Sequence, residues 1–294
     1  MSITRRPLFE GETLQVGLFE ARPQSDACGD VERQTSNVVV LPFRGVFAKH
    51  DAPGRHVIGT PSHAVLIVAD TPYRLSFPGA IGDRALILRF DEALAPEQVE
   101  RRGDEALASH GLLPPNAILL RNLLWSCLQN GAVDRFESEA LGLDLLGLSL
   151  GAMRRSSLAL RRSALGRRLR AVARVKEAIA VAPADKWSVA TLARIANLSP
   201  FHLCRVFHQI TGTSLYDYVL RERLAYALDA VLDGGADITA IALDAGFASH
   251  SHFTARFKSF FHCTPAAFRR LAKAQRVGEL RKIMTAPRHA SALD

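Results

Sequence analysis

The sequence predicts an α+β protein of two domains: an antiparallel β-barrel or sandwich with trailing helices, then an all-α C-terminal domain. Three observations predict it. Short apolar runs broken by turn residues fill the region from Thr13 to Phe90, helical periodicity takes over after Pro96, and two similar helix-turn-helix patterns lie near the end. A chain of 294 residues, 48% hydrophobic and 22% charged, is long enough for two ordinary cores.

The β-rich part, 10–92, consists of TLQVGLFEA, NVVVLPF, HAVLIVA, YRLSF and RALILRF, separated by Pro, Gly and Asp turn signals. Residues 96–152 have helical periodicity, with prolines at a helix start and glycines near the ends. Leu141, Leu145 and Leu148 recur at helical spacing, a stripe that either packs on the barrel or pairs with a second copy in a homodimer. Residues 153–168 are rich in Arg, Ser, Ala and Leu and suit an exposed linker. The expected division is therefore an N-terminal domain over 1–152, the linker, a helical domain over 169–275 and a tail over 276–294.

Charge divides the chain in the same place. Residues 1–151 hold 14 Lys and Arg against 19 Asp and Glu, and residues 152–294 hold 23 against 10. A basic domain joined to a mildly acidic one points to a polyanion partner, because releasing counterions from phosphates drives affinity. The start, MSITRRPLFE, has no apolar stretch after its arginines, and no run of about 18 apolar residues occurs, so a cytoplasmic chain with no membrane partner is expected. Cys28, Cys127, Cys204 and Cys263 stand singly, which argues for reduced thiols and against a zinc site; no cofactor or bound metal is expected.

In the first helix-turn-helix pattern, Val189, Leu192, Ala193 and Ile195 supply an apolar face and Ala196 a close crossing point. Ser199 caps the following helix and Pro200 occupies its first position. Leu203, Val206, Phe207 and Ile210 fall on one face of that helix, leaving Phe201, His202, Arg205, His208 and Gln209 to face outward, where they could enter a major groove. The second pattern repeats the design. Ile238, Ile241 and Ala242 form the stripe, Gly246 gives the turn, Ser249 caps, and Phe253, Phe257 and Phe260 anchor the next helix. Its outward candidates are His250, Ser251, His252, Ala255 and Arg256, with Lys258 placed for phosphate. A long helix from about Leu215 to Leu232 separates the two.

The order A-x-x-A-x-L-S-x-x-x-L-x-R-x-F from Ala193, R-L-x-x-A from Arg223, G-F-x-S-x-S-x-F-x-x-x-F-K from Gly246 and T-P-x-x-F-R from Thr264 with Pro265 resembles the AraC/XylS domain over residues 172–271. The resemblance implies a sequence-specific transcription factor rather than an enzyme, acting on double-stranded DNA with RNA polymerase as a further partner. Both recognition helices would read adjacent major-groove segments about one helical turn apart. Activation is the family's commoner outcome. Two departures bear on this: Cys263 stands where the family has Gly, and Ala255 is too small for a base contact, which makes the second unit the weaker reader.

N-terminal domains of that family resemble cupin barrels that bind a small-molecule effector, and the 63–90 segment is similar to their strands. Phe43, Tyr73 and Phe77 either line an effector cavity or fill the core. His50, His56 and His63 cluster in sequence, but no carboxylate stands at a ligand interval, so a cupin-type metalloenzyme fused to a DNA-binding domain is the remote alternative. The nearer one is a constitutive dimeric regulator without a ligand.

Overall fold

The computed structural model describes residues 2–52, 55–91, 109–131, 133–160, 166–273 and 278–279. Its strands are β1 (Ser2–Glu10), β2 (Leu14–Arg22), β3 (Asn37–Gly45), β4 (Phe47–Ala52), β5 (Arg55–Gly59), β6 (His63–Ile67), β7 (Arg74–Ser76), β8 (Asp83–Phe90) and β9 (His110–Leu112). They form an antiparallel six-stranded sheet in the order β1-β2-β8-β3-β6-β9 and a three-stranded sheet in the order β5-β4-β7. The chain passes from one sheet to the other at Gly45, whose φ of +77° and position against the Gly82 carbonyl leave no room for a Cβ.

The large sheet is apolar on both faces, and period-2 alternation sorts its residues. Val38 and Val40 of β3, Ala85 and Ile87 of β8, and Phe19 of β2 face the small sheet together with Tyr73, Leu75 and Phe77. Val39, Leu41 and Phe43, with Leu86 and Leu88, face the opposite way, onto helices α1 (Pro115–Asn130) and α2 (Arg135–Leu160). Each such side chain contributes about 1.5–3 kcal/mol on full burial.

The C-terminal helices are α3 (Gly166–Val181), α4 (Val189–Ala196), α5 (Pro200–Thr211), α6 (Leu215–Asp233), α7 (Ile238–Asp244), α8 (His250–Phe261) and α9 (Pro265–Lys273). Helices α3, α4 and α5 and the start of α6 enclose one core around Val175, Leu192, Leu203, Phe207 and Tyr218. The second core is not separate from the N-terminal half. Leu224, Leu228, Phe253, Phe257 and Phe268 continue the same apolar cluster as Phe43, Leu120, Leu124 and Leu145.

Several expectations change. Strand structure begins at Ser2 rather than residue 10: β1 is a largely exposed edge strand whose Arg5, Arg6 and Pro7 hide any alternation. His110, expected at the end of a helix, pairs with Val65 in β9, and the rest of that expected helix, 96–108, lies outside the described residues. Helix α2 continues to Leu160, well into the expected linker, because Arg, Ala, Leu and Met are strong helix formers; residues 161–165 and most of the expected tail are outside the described residues. Leu141 and Leu145 are fully buried, so the leucine stripe packs within the chain. No helix among the described residues is long and apolar enough to cross a membrane.

Asp83 sits at the start of β8 with both carboxylate oxygens buried and without a hydrogen-bond partner among the described residues, and burial holds its pKa well above the ordinary value. The fold therefore favours the protonated form, and the cost of burial appears as pH rises above about 4, where the unfolded carboxyl ionises. Asp83→Asn is expected to raise stability by about 1–3 kcal/mol at pH 7.5, with the gain shrinking toward pH 4. Urea unfolding at both pH values checks it, and a pH-independent difference would contradict the buried-acid account.

Candidate nucleic-acid interface

The two recognition helices are built to one pattern with a constant offset of 50 residues. Ser199 and Ser249 are the N-caps, and their hydroxyls accept from the backbone N–H of His202 at 3.3 Å and His252 at 3.1 Å. Leu203 and Phe207 correspond to Phe253 and Phe257, all buried, and Gly212 and His262 close the helices in left-handed conformation by donating to the carbonyls of His208 and Lys258. Ser214 and Thr264 then cap α6 and α9, with Pro265 buried at the first position of α9.

The leading helices match in role but not in detail. Helix α4 is capped by Ser188 and ends at Asn197 in left-handed conformation, while α7 is capped by Asp237 and ends before Gly246, where a Cβ would collide with the backbone of Ala184. Val189 is 42% exposed, so the apolar face of α4 rests on Leu192, Ala193 and Ala196. In α8 the third buried anchor is Phe261, four residues after Phe257; Phe260 lies one position off that face and packs under the Arg221 guanidinium at 5.0 Å.

Of the outward candidates, Arg205, His208 and Gln209 on α5 and His250, Ser251, Arg256 and Lys258 on α8 are exposed, as is Phe201 at 79%. A phenyl ring that open to water on a capped, well-packed helix has no role in the core. His202 and His252 are half-buried. The first has a buried Nε2 with no hydrogen-bond partner among the described residues, and the second packs edge-on against Phe247 at 5.5 Å. At the position of Arg205, the second unit carries exposed Ala255.

Three arginines hold this arrangement by donating to carbonyls left over at helix ends, a role the sequence reading did not assign. Arg174 donates to Ile195 O (3.1 Å) and Ala196 O (2.9 Å), and Arg269 to Val231 O (2.8 Å) and Ala236 O (3.0 Å). Arg223 donates to Pro183 O (2.9 Å), Asp185 O (2.7 Å) and Gly246 O (2.9 Å), joining the end of α3 to the turn of the second unit. Arg223 and Arg269 stand inside the R-L-x-x-A and T-P-x-x-F-R motifs, which was the available signal, while Arg174 lies in neither; which carbonyls the three meet depends on helices far apart in sequence.

Spacer helix α6 is also tied to the sheets. Glu222 is 1% exposed and accepts from Thr60 Oγ1 at 2.8 Å and from the Ser62 hydroxyl, and burial raises its pKa. Having given its proton to Glu222, Thr60 Oγ1 can only accept, so His63 Nδ1, 2.8 Å away, carries a hydrogen, consistent with a burial-lowered pKa that keeps the ring neutral. Asp229 pairs with Arg44 at 2.7 Å, and Arg221 donates to Leu113 O.

The proposed effector residues do not share a site. Phe43 faces α1, against Trp125 and Arg121, whereas Tyr73 and Phe77 lie on the other side of the sheet, between the two sheets. The gap there is only about 30 Å³, room for a single water. His50 and His56 are cross-strand neighbours with ring centroids 5.4 Å apart, and His63 belongs to the buried Thr60 network. Among the described residues no three His, Cys, Asp or Glu side chains are grouped to hold a metal ion.

Replacing Arg223 by Ala removes three charge-assisted hydrogen bonds to part-buried and exposed carbonyls, with an expected loss of about 1.5–3 kcal/mol of stability. Arg223→Lys should recover little of it, since one ammonium cannot span three acceptors. Thermal unfolding of both variants decides this, and a loss below that of an ordinary surface substitution would deny the clamp.

A model of a helix-turn-helix domain matches residues 192–271, from α4 to α9. A probable transcription factor of Proteus vulgaris, PqrA, is 38% identical over 81 residues, 28% of this chain and 66% of that protein. The virulence regulon transcriptional activator VirF of Yersinia enterocolitica is 32% identical over 83 residues, 28% of this chain and 31% of that protein. Among solved structures, the DNA-binding domain of the global transcriptional factor AdpA, in complex with a target DNA, is similar at 24% identity and a TM-score of 0.33, covering 37% of this chain and 96% of that one. The chain thus spans about two thirds of PqrA and under a third of VirF. Residues 192–271 are therefore a helix-turn-helix domain of the AraC type.

Proposed function

We propose that the chain is a sequence-specific, DNA-binding transcription regulator of the AraC/XylS type, an activator, whose N-terminal half sets DNA occupancy in response to a small-molecule effector. The observation that carries this reading is the pair of capped, anchored helices α5 and α8 with exposed outward faces, joined by one rigid spacer. Arg205 is the residue of the first reader suited to grip guanine O6 and N7, and exposed Phe201 suits a thymine methyl. In the second unit His250 and Ser251 are the candidates for base edges, while Arg256 and Lys258 serve phosphates; with Ala255 opposite Arg205 in register, it is the weaker reader.

Base reading fixes which sequence is bound, and the surplus of basic residues after Gly151 supplies the salt-sensitive part of the affinity. Contacts with RNA polymerase, a homodimer and a cytoplasmic location belong to the same reading.

Selection from random duplex DNA with the full chain tests it. A motif with two half-sites about one helical turn apart is expected, and Arg205→Ala should relax one position in it at a cost of about 1–3 kcal/mol. Sequence-blind, salt-sensitive binding alone would leave only a general polyanion binder.

A further inference from the structure

With the constant offset of 50 residues, Ala255 on α8 corresponds to Arg205 on α5, and Arg256 corresponds to Val206. Val206 is fully buried in the core of the first unit, whereas Arg256 is exposed. The second reader therefore carries its cation one residue further along than the first does, and one residue is a rotation of about 100° around a helix. Its guanidinium is turned off the face that holds Ser251 and Ala255, toward a flank of the helix.

Beside that flank lies the start of spacer helix α6. The Arg256 guanidinium carbon stands over the Tyr216 ring, 6.0 Å from its centroid, and Tyr216 is 60% exposed. Tyr216 follows closely on Gly212, which closes α5, so the ring belongs to the end of the first unit and the arginine to the second reader. Two turns further along the same face of α6, Arg223 donates to Gly246 O in the turn of the second unit, so this face addresses that unit at two points. No carboxylate among the described residues pairs with Arg256. An aromatic ring restrains an arginine without consuming its N–H donors, which stay available to an anion. Restraint in advance also lowers the side-chain entropy lost when that anion is met.

We propose that Tyr216 is a positioning residue that holds Arg256 for a backbone phosphate in the stretch of duplex between the two half-sites. The inference rests on the reading of α5 and α8 as paired DNA readers, and it adds a contact that neither helix makes alone. The pair lies between the end of one reader and the flank of the other, so the DNA it meets is the segment between their two grooves, whose phosphates carry charge and no sequence. Ala255 gives up a base contact in the second unit, and Arg256 supplies affinity there instead. A contact shared by both units also favours one distance between half-sites over others.

The test uses the full chain and a duplex obtained by selection, with each phosphate between the half-sites replaced in turn by a neutral methylphosphonate and affinity read by fluorescence anisotropy. In the wild type, one linkage or two adjacent ones should cost about fivefold or more. Arg256→Ala should bind the unmodified duplex about fivefold more weakly, lower the slope of log K against log salt by about one, and become indifferent to that linkage. Tyr216→Leu should cut the linkage effect to about twofold or less, while Tyr216→Phe, which keeps the ring, should retain it. The double variant Tyr216→Leu/Arg256→Ala should bind no more weakly than Arg256→Ala, because the ring acts through the arginine. Both side chains are exposed, and an unchanged thermal midpoint shows that each variant is folded. The absence of a sensitive linkage between the half-sites, a sensitive linkage that persists in Arg256→Ala, or a Tyr216→Leu variant indistinguishable from the wild type overturns the proposal and leaves the regulator in place. If selection yields no duplex, the regulatory reading fails and the proposal with it.

Discussion

Helix α6 has to satisfy three different neighbours along 19 residues, and the arrangement of both halves follows from how it does so. Its first turns, with Leu215 and Tyr218, complete the core of the first helix-turn-helix unit, and its later turns, with Leu224, Leu228 and Val231, enter the apolar cluster shared by the second unit and helix α1. The same helix carries Glu222 and Asp229, buried acids that a water-facing helix would not tolerate unpaired and that Thr60, Ser62 and Arg44 satisfy from the N-terminal half. A helix buried on several sides shows no amphipathic stripe, and that absence marks it as an internal strut rather than a surface spacer.

Polar fastening inside an apolar junction has a consequence for mechanism. Apolar burial alone tolerates sliding, whereas a buried carboxyl with two hydroxyl donors demands one register, because a shift of an ångström leaves charge unpaired. The sheets, α6 and the two reading units are thereby placed in one definite relation, with the recognition faces pointing to solvent. The same logic applies on a smaller scale to Arg174, Arg223 and Arg269, which convert loose helix ends into fixed corners. The exposed faces of α5 and α8 are therefore positioned by residues that lie outside those faces.

Arginine is used in two opposed ways in this chain. Arg121, fully buried against Phe43 and bonded to Asn122 and to the carbonyls of Pro42 and Pro61, holds the sheet to α1, and burial brings its pKa down to about 9. Arg205 remains in water, able to exchange solvent for phosphate or base, and exposed Arg256 lies over the Tyr216 ring, 6.0 Å from its centroid. Composition counts both alike, and in the C-terminal half Arg174, Arg223 and Arg269 are engaged with backbone carbonyls, so its basic balance overstates the side chains available to a polyanion.

The sequence alone determined the local elements whose signals are local. The caps Ser199 and Ser249, Pro200 and Pro265 at helix starts, the left-handed Gly246 and the Leu203/Phe207 and Phe253/Phe257 spacings all act within one turn of helix, and so the two readers and most of their outward residues were legible. Tertiary structure decided what depends on partners distant in the chain: that β1 is a strand because β2 pairs with it, that α2 runs through the expected linker, that Phe43 and Tyr73 face opposite sides of a sheet buried twice over, and that Glu222 is an internal acid rather than a solvated one. A side chain's surroundings are set by elements brought together across a hundred residues or more, and neither periodicity nor spacing carries that information.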